Sequence, residues 1–342
     1  MLSTRVSHIP TEHPFAQYIR IIGKGKTSRR SLTMTEAMDA MHHILKGDIE
    51  PIQLGAFLMV LRVKEESAEE IAGFVMACKA SIASHVPHKM VQPDLDWPSY
   101  AGKKRQPPWY ILTALLLAQS GHRVFMHGSK GHTANRLYTE TVLNELGIHI
   151  ASNWSDCQRQ LDTQNFSYLA LETICPALQH IIDLKPLLGL RSPVHTLVRL
   201  LNPLGADTSL QSVFHPSYSR THHQAALLLH QKNAAVFKGE GGEVECRPFA
   251  NVEVNCIDQH QAGSYTIQRI VTQPEELPVE TASLIALWHD SKPNKQGLET
   301  VLTTAAIALL TMGLAEDVES GYRVAKQLWK DRAATINQTF NI

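Results

Sequence analysis

The run Lys103-Lys104-Arg105 places three cations in succession within a stretch of aromatic residues. Cations follow the phosphates of a nucleic acid, and aromatic rings stack on its bases. An ordinary solvated turn can carry the same three charges, and buried tryptophans are commoner than stacking ones. We therefore treat the run as a candidate nucleic-acid-binding loop. Its aromatic neighbours are Trp97, Tyr100, Trp109 and Tyr110.

Further cations cluster in two other stretches. Residues 23–30 combine two glycines with four cations. A Walker phosphate loop follows a strand, whereas here the preceding pattern is helical, so a flexible turn explains these residues equally well. If the three stretches share one surface, it would bind DNA or RNA through phosphates, and hence without sequence preference. The added cations are Lys24, Lys26, Arg29, Arg30, Lys130 and Arg136.

Glu243 and Glu245 are the candidate metal ligands, because Mg²⁺ prefers carboxylate oxygens. Val244 separates them, so octahedral geometry is not assured, and polar turn residues are the simpler explanation. We expect no cofactor beyond this weak magnesium site. The five cysteines are scattered and show no CxxC spacing, which argues against a zinc site or a disulfide framework.

The overall charge is balanced, since Lys plus Arg and Asp plus Glu both number 32. A basic surface would therefore leave acidic surface elsewhere. The longest apolar runs fall far short of the ~20 residues that cross a bilayer. The first residues contain no apolar signal segment. Together with the scattered cysteines, this predicts a cytoplasmic protein with no membrane partner.

The elements that must position these residues divide into two types. Up to about residue 86 the pattern is helical, with Thr33–Glu36 and Ser67–Glu70 as capping boxes. Beyond it, apolar runs at 123–126 and 234–237 predict buried strands that alternate with helices. We expect an N-terminal helical domain plus a larger α/β domain with a mostly parallel central sheet.

Ordered motifs along the chain resemble one known family. Residues 47–64 are similar to the "Gly-x-x-x-x-x-Gln-x-x-Ala-Phe-Leu" stretch of anthranilate phosphoribosyltransferases and pyrimidine-nucleoside phosphorylases. Residues 188–203 resemble that family's "Leu-Gly-x-Arg-Thr…Leu-x-Asn-Pro", and residues 305–315 its helix near the end. The resemblance implies a helical domain at 1–90, an α/β domain at 91–342, and a return of about 176–205 to the helical domain. It also implies a homodimer through the helical domain.

The family's substrate motifs are degenerate in this chain. Its loop "Gly-Thr-Gly-Gly-Asp", which holds pyrophosphate, corresponds to residues 96–105, where one glycine remains. Met126 stands where the family has a phosphate-pairing Lys. The "Asp-Gly-x-Asp-Glu" carboxylates that bind magnesium align imperfectly with Glu243 and Glu245. The residues that the resemblance retains from the substrate site are Gly102, His127, Gly128 and Arg191, the last meeting the anthranilate carboxylate in the family.

Packing motifs thus persist where substrate-holding motifs do not. This departure resembles the YbiB-type proteins, a side branch that keeps the fold and binds nucleic acid without evident sequence preference. The resemblance therefore favours a nucleic-acid-binding homodimer with no enzymatic activity in this site. The alternative is a phosphoribosyl- or pentosyltransferase with an altered substrate, since a fold by itself does not determine function.

Overall fold

A computed structural model of the protein describes residues 12–336 and residue 340. Its first layer is helical, and both capping boxes predicted from the sequence are confirmed. Gly47 ends the second helix in the left-handed conformation. The first eleven residues of the predicted domain 1–90 lie outside the described residues. The helices of this layer are α1 (Ala16–Gly23), α2 (Met34–Lys46), α3 (Pro51–Lys64) and α4 (Ala68–Ala83).

A seven-stranded sheet forms the centre of the second layer, in the order β3-β2-β1-β4-β5-β6-β7. The first five strands of the chain run parallel, and β6 and β7 add an antiparallel hairpin at one edge. The predicted fold class is therefore confirmed. The strands are β1 (Leu95–Ser99), β2 (Val124–Gly128), β3 (Phe166–Ala170), β4 (Thr208–Val213), β5 (Asn233–Lys238), β6 (Val252–Asp258) and β7 (Gln261–Ile267).

Helices cover both faces of this sheet, as the burial of parallel strands requires. On one face α5, α14 and α15 pack together in a core that contains Trp109 and Trp288. The helices between β1 and β4 are α5 (Trp109–Gln119), α6 (Thr139–Glu145), α7 (Trp154–Gln164), α8 (Leu171–Ile174), α9 (Pro176–Asp183), α10 (Lys185–Leu188) and α11 (Val194–Leu197). Those that follow are α12 (Ser217–Leu228), α13 (Thr281–Trp288), α14 (Lys295–Thr311) and α15 (Val318–Lys330).

A second core joins the helical layer to the other face of the sheet. It contains Phe57 and Phe74 from the helical layer, and Leu178 and Leu197 from the connection between β3 and β4. The segment that the resemblance assigns to the helical domain therefore packs against that layer. The limits 1–90 and 91–342 themselves stay predictions.

The parallel strands β1, β2, β4 and β5 end at the same edge of the sheet. In open α/β sheets, ligands bind outside the carboxyl ends of such strands. The loops that follow these four strands carry most of the candidate residues, so this edge is where a functional site should lie. In the described part of the chain, no helix is long and apolar enough to cross a membrane.

Candidate functional site

The loop that follows β1 is occupied by a carboxylate from the loop that follows β5. Glu243 is fully buried and accepts hydrogen bonds from the backbone N–H groups of Ala101 and Gly102, at 2.7 and 2.6 Å. Its other oxygen accepts a hydrogen bond of 2.8 Å from the Ser99 hydroxyl. Successive backbone N–H groups of this kind form anion-binding concavities. In this protein the anion is supplied by the chain itself.

Lys103 is not part of an exposed basic loop. Its side chain is fully buried and forms an ion pair with Glu245, whose other oxygen accepts a hydrogen bond of 3.0 Å from the N–H of Tyr110. The buried ammonium of Lys103 cannot reach a nucleic acid, so Lys103 does not belong to the candidate nucleic-acid-binding loop. Burial raises the pKa of Glu245 to about 7, against the opposing effect of the Lys103 ammonium. Only Lys104 and Arg105 of the run are exposed.

The two carboxylates do not fit a magnesium ion, because the oxygens of both are bound by groups of the chain. Glu243 holds two backbone N–H groups and a hydroxyl, and Glu245 holds an ammonium and a backbone N–H. Among the described residues, no group of three His, Cys, Asp or Glu side chains is arranged to hold a metal. The weak assignment of these two residues as metal ligands is wrong, since their role is internal.

The aromatic residues around the run are core residues, which supports burial over base stacking as the explanation for them. Each is at most 1% exposed, which leaves no ring face for a nucleobase. The Tyr100 hydroxyl lies 2.6 Å from His127 Nδ1, and Asp96 lies 3.1 Å from His127 Nε2. The retained His127 therefore belongs to a buried polar chain. These residues are Trp97, Tyr100, Trp109 and Tyr110.

Backbone geometry accounts for the two retained glycines. Gly102 has φ of +66°, and a Cβ there would lie 3.0 Å from the ring of Tyr138. A Cβ on Gly128 would lie 2.3 Å from the carbonyl oxygen of Ser99. Both positions need glycine for conformation or close packing, which accounts for their retention without reference to a substrate.

An open groove lies beside the occupied loop, and cations dominate its lining. Its single carboxylate is that of Glu240, and the exposed ring of Phe214 borders it. Within residues 12–336, none of the lining cations has a carboxylate within 4.0 Å. We call this surface the basic groove; its cations are Lys104, Arg105, Arg136, Lys238 and Arg247.

The structure thus brings together Lys104, Arg105 and Arg136 from the predicted surface. Arg136 donates hydrogen bonds of 2.9 Å to the carbonyl oxygens of Ala101 and Gly102, so its charge has neutral partners. The remaining predicted cations do not line the groove. Lys24, Lys26 and Arg29 are exposed in the turn between α1 and α2, whereas Arg30 pairs with Glu36 and Lys130 with Glu172.

Arg191 lies in a separate cleft between the helical layer and the sheet. Arg62 of α3 donates a hydrogen bond of 3.2 Å to the hydroxyl of Tyr218 across this cleft. Burial lowers the pKa of Arg191, and the charge of Arg136 lowers it further. We call this the arginine cleft; Arg199, His195 and His222 also line it, and Phe214 lines both this cleft and the basic groove.

Comparison with known sequences places these features in a family. The profile described as "Glycosyl transferase family, helical bundle domain" matches residues 16–82, and "Glycosyl transferase family, a/b domain" matches residues 111–335, more than half of the chain. The chain belongs to this glycosyl transferase family. Its helical layer and its α/β layer correspond to the two domains that the profiles describe.

Relatives and solved structures agree with this assignment. The chain is 29% identical over 322 residues to the Uncharacterized protein YbiB of Escherichia coli, covering 90% of this chain and 97% of that protein. It is 27% identical over 317 residues to the anthranilate phosphoribosyltransferase of Thermomicrobium roseum, covering 89% and 90%. The anthranilate phosphoribosyltransferase of Thermus thermophilus superposes with a TM-score of 0.75 at 20% identity over 95% of both chains, which shows the shared fold.

Sequence reasoning missed two cations of the basic groove, Lys238 and Arg247, and the ring of Phe214 at its border. Lys238 ends β5, and Arg247 and Phe214 are single residues within mixed stretches. The signal that could have found Lys238 is its place at the carboxyl end of a predicted strand, where the ligands of parallel sheets bind. Arg247 and Phe214 carry no comparable local signal, because only the fold brings them beside Lys104.

Proposed function

We propose that this family member binds nucleic acid, DNA or RNA, without strong sequence preference, and that the basic groove is the binding surface. The observation that carries the proposal is the Glu243 carboxylate on the N–H groups of Ala101 and Gly102. Glu243 occupies the loop that would bind a small pyrophosphate, whereas the basic groove stays open to a larger polyanion. A cytoplasmic location is part of the proposal, since the five cysteines form no disulfide with one another in the structure.

A pyrophosphate could take these N–H groups only by displacing Glu243. The displaced carboxylate would lose three hydrogen bonds, each of a charge-assisted kind that contributes roughly 1.5–3 kcal/mol. If the displaced carboxylate of Glu243 stayed near the loop, its negative charge would repel the pyrophosphate. A phosphoribosyl donor therefore competes against the folded chain itself, and this opposes transfer chemistry at the loop.

The basic groove has no such internal occupant. Its five cations have no carboxylate within 4.0 Å in the described part of the chain, although the protein is neutral overall. Unpaired cations along an open surface suit successive phosphates of a strand, and such contacts carry no base information. The exposed ring of Phe214 at the border offers a face for stacking.

A homodimer through the helical layer is part of the proposal. The outward side of α3 carries Ile52 and Val63, which are 82% and 75% exposed. Ala56 and Met59 lie between them at helical spacing, so the apolar residues form one stripe. Burying this stripe against a second copy would remove it from water, and two copies would present two basic grooves to one strand.

Charge reversal in the groove tests the proposal. The test variant is Lys104→Glu with Arg105→Glu and Lys238→Glu, which spares the buried Lys103. The control variant reverses the exposed Arg323, Lys326 and Lys330 of α15 and so makes the same change in net charge.

Fluorescence-anisotropy titrations with labelled DNA and RNA at several salt concentrations provide the measurement. The groove variant should bind every sequence more weakly, and its salt slope should flatten by about 0.9 for each duplex phosphate that the groove no longer neutralises. The control should keep the slope of the native protein. Equal slopes for the two variants would exclude the groove, and absence of binding by the native protein at low salt would exclude nucleic-acid binding itself.

A pentosyltransferase with an altered substrate is the second candidate. The comparisons favour this broader class, since relatives with related sequences are named anthranilate phosphoribosyltransferases. The open arginine cleft, which contains Arg191, provides space for an acceptor. Product fluorescence with anthranilate, phosphoribosyl pyrophosphate and magnesium tests this candidate. Turnover within tenfold of a family enzyme would establish transfer chemistry with the family's own acceptor and reject a role for Glu243 as an obstacle.

A further inference from the structure

The arginine cleft concentrates positive charge, and within the described residues none of its arginines forms an ion pair with a carboxylate. Arg199 is 7% exposed and donates to the carbonyl oxygens of Gly242, at 2.7 Å, and Ser212, at 3.1 Å. These acceptors are neutral, so the Arg199 charge is not compensated by an ion pair. Across residues 12–336, Arg62 and Arg191 also have no carboxylate within 4.0 Å. Three guanidinium groups therefore face one cleft.

Two buried histidines in the lining leave a ring nitrogen unused. His195 is 8% exposed and its Nε2 has no hydrogen-bond partner within the described residues. His222 is 2% exposed and its Nδ1 likewise has none there. Buried polar atoms are normally satisfied by protein, water or a bound group. These two nitrogens are therefore available to a bound group, and this is an observation independent of the charge of the arginines.

The surroundings of His195 and His222 favour the neutral imidazole. Burial lowers the pKa of His195 to about 3, and the charges of His132 and Arg191 act in the same direction. Burial similarly lowers the pKa of His222 to about 3, with a contribution from Arg199. Burial raises the pKa of Glu66, against the opposing effect of Arg62. Glu243 is a counter-charge for Arg191 and Arg199 but forms no ion pair with either. A bound anion would relieve the repulsion among all these groups.

The size of the cleft and its border limit the ligand. The volume is about 150 Å³, enough for a phosphate group in place of several waters. Phe214 stands at the border, 48% exposed, with its ring 4.9 Å from that of His215. A phosphate inside the cleft would leave an attached aromatic base near this ring. Several cations match a phosphate monoester, with a charge of about −1.5 to −2 and three terminal oxygens, better than a singly charged carboxylate.

We propose that the arginine cleft binds the phosphate monoester of a nucleotide, with the base stacked on Phe214. The phosphate is either that of a free mononucleotide or the 5′-terminal phosphate of a strand. The cleft adjoins the basic groove at Phe214, which lines both, but none of its arginines belongs to the groove, so phosphate binding in the cleft does not depend on the groove. Arg191 and Arg62 bind the phosphate oxygens, and Arg199 supplies charge from beneath.

Calorimetric titration with adenosine monophosphate and with inorganic phosphate tests the cleft directly. A second arm compares a short oligonucleotide bearing a 5′-phosphate with the same oligonucleotide bearing a 5′-hydroxyl. The variants are Arg191→Gln, Arg191→Lys and Phe214→Ala, with Lys326→Gln as a control for a lost surface charge. Thermal unfolding of each variant verifies that it is folded before its affinity is compared.

The mononucleotide should bind the native protein and the control alike. Its affinity should fall about tenfold or more in Arg191→Gln, because a charge-assisted hydrogen bond is lost, and less in Arg191→Lys. Phe214→Ala should weaken the mononucleotide about fivefold or more and leave inorganic phosphate unaffected. If the 5′-phosphate raises the affinity of the oligonucleotide and Arg191→Gln abolishes that gain, the ligand is the end of a strand. If the mononucleotide binds but the 5′-phosphate gives no gain, the ligand is the free nucleotide.

The inference is overturned if the native protein binds neither mononucleotide nor inorganic phosphate and gains nothing from the 5′-phosphate. Equal affinity of the native protein and Arg191→Gln for every ligand would also overturn it. Neither result would affect the basic groove, because the 5′-hydroxyl oligonucleotide reports on that surface separately. Failure of the groove would conversely leave the mononucleotide titration as a complete test of the cleft.

Discussion

Replacing Lys103 by Met should destabilise the protein far more than the same change at Lys104. Lys103 is fully buried against Glu245, which is 1% exposed, whereas Lys104 is exposed. Removing one partner of a buried ion pair leaves the other charge uncompensated and typically costs about 3–5 kcal/mol. A surface substitution such as Lys104→Met usually stays within about 0.5 kcal/mol.

The loss should also depend on pH, because Glu245 has a pKa raised by burial from 4.5 to about 7. A raised carboxyl pKa contributes stability that is complete below the unfolded pKa and is lost as pH rises through the folded pKa. In the native protein that loss ends near pH 7. Without Lys103 the pKa of Glu245 rises further, so the loss continues. The gap between Lys103→Met and the native protein should widen above pH 7, by up to about 1.4 kcal/mol per pH unit.

Urea unfolding followed by tryptophan fluorescence at pH 6, 7, 8 and 9 measures this gap. The double variant Lys103→Met with Glu245→Gln removes both charges, so it should recover most of the stability and show no widening. If Lys103→Met is as stable as Lys104→Met at pH 8, the buried pair does not exist as described. If the gap is constant between pH 7 and 9, Glu245 is not the group left uncompensated.

Three further outcomes are expected. Ile52→Glu with Val63→Glu should convert a dimer to a monomer in light scattering, because both side chains are exposed on α3; a native protein that is already monomeric would contradict this. Gly128→Ala should lower the thermal unfolding temperature, by overpacking worth about 1–3 kcal/mol, since its Cβ would lie 2.3 Å from Ser99 O; an unchanged temperature would refute the contact. Glu243→Ala should be less stable than Glu243→Gln, which keeps an acceptor for the two N–H groups; equal stability would show that those bonds contribute little.

Local patterns were sufficient for the helical layer. Thr33 and Ser67 each stand three residues before a glutamate, and the hydrogen bonds of a capping box span only that distance. The strands at β2 and β5 were also predicted, because a short apolar run between helices is typical of a buried strand. The β6–β7 hairpin was not predicted: β7 is largely exposed and polar, so it lacks the alternation that marks a strand.

The sequence by itself determined the family, a helical layer followed by strands that alternate with helices, and the loss of the phosphate-binding motif after β1. Those properties reside in residue types and short spacings. Only the tertiary structure decided that Lys103 is buried while Lys104 is exposed, although the two are neighbours. It also decided that Glu243 reaches the loop after β1, a contact across 142 residues of chain. The physical reason is that burial and charge pairing depend on which strand ends lie next to each other at the sheet edge. That order depends on long crossover connections, which short sequence patterns do not predict.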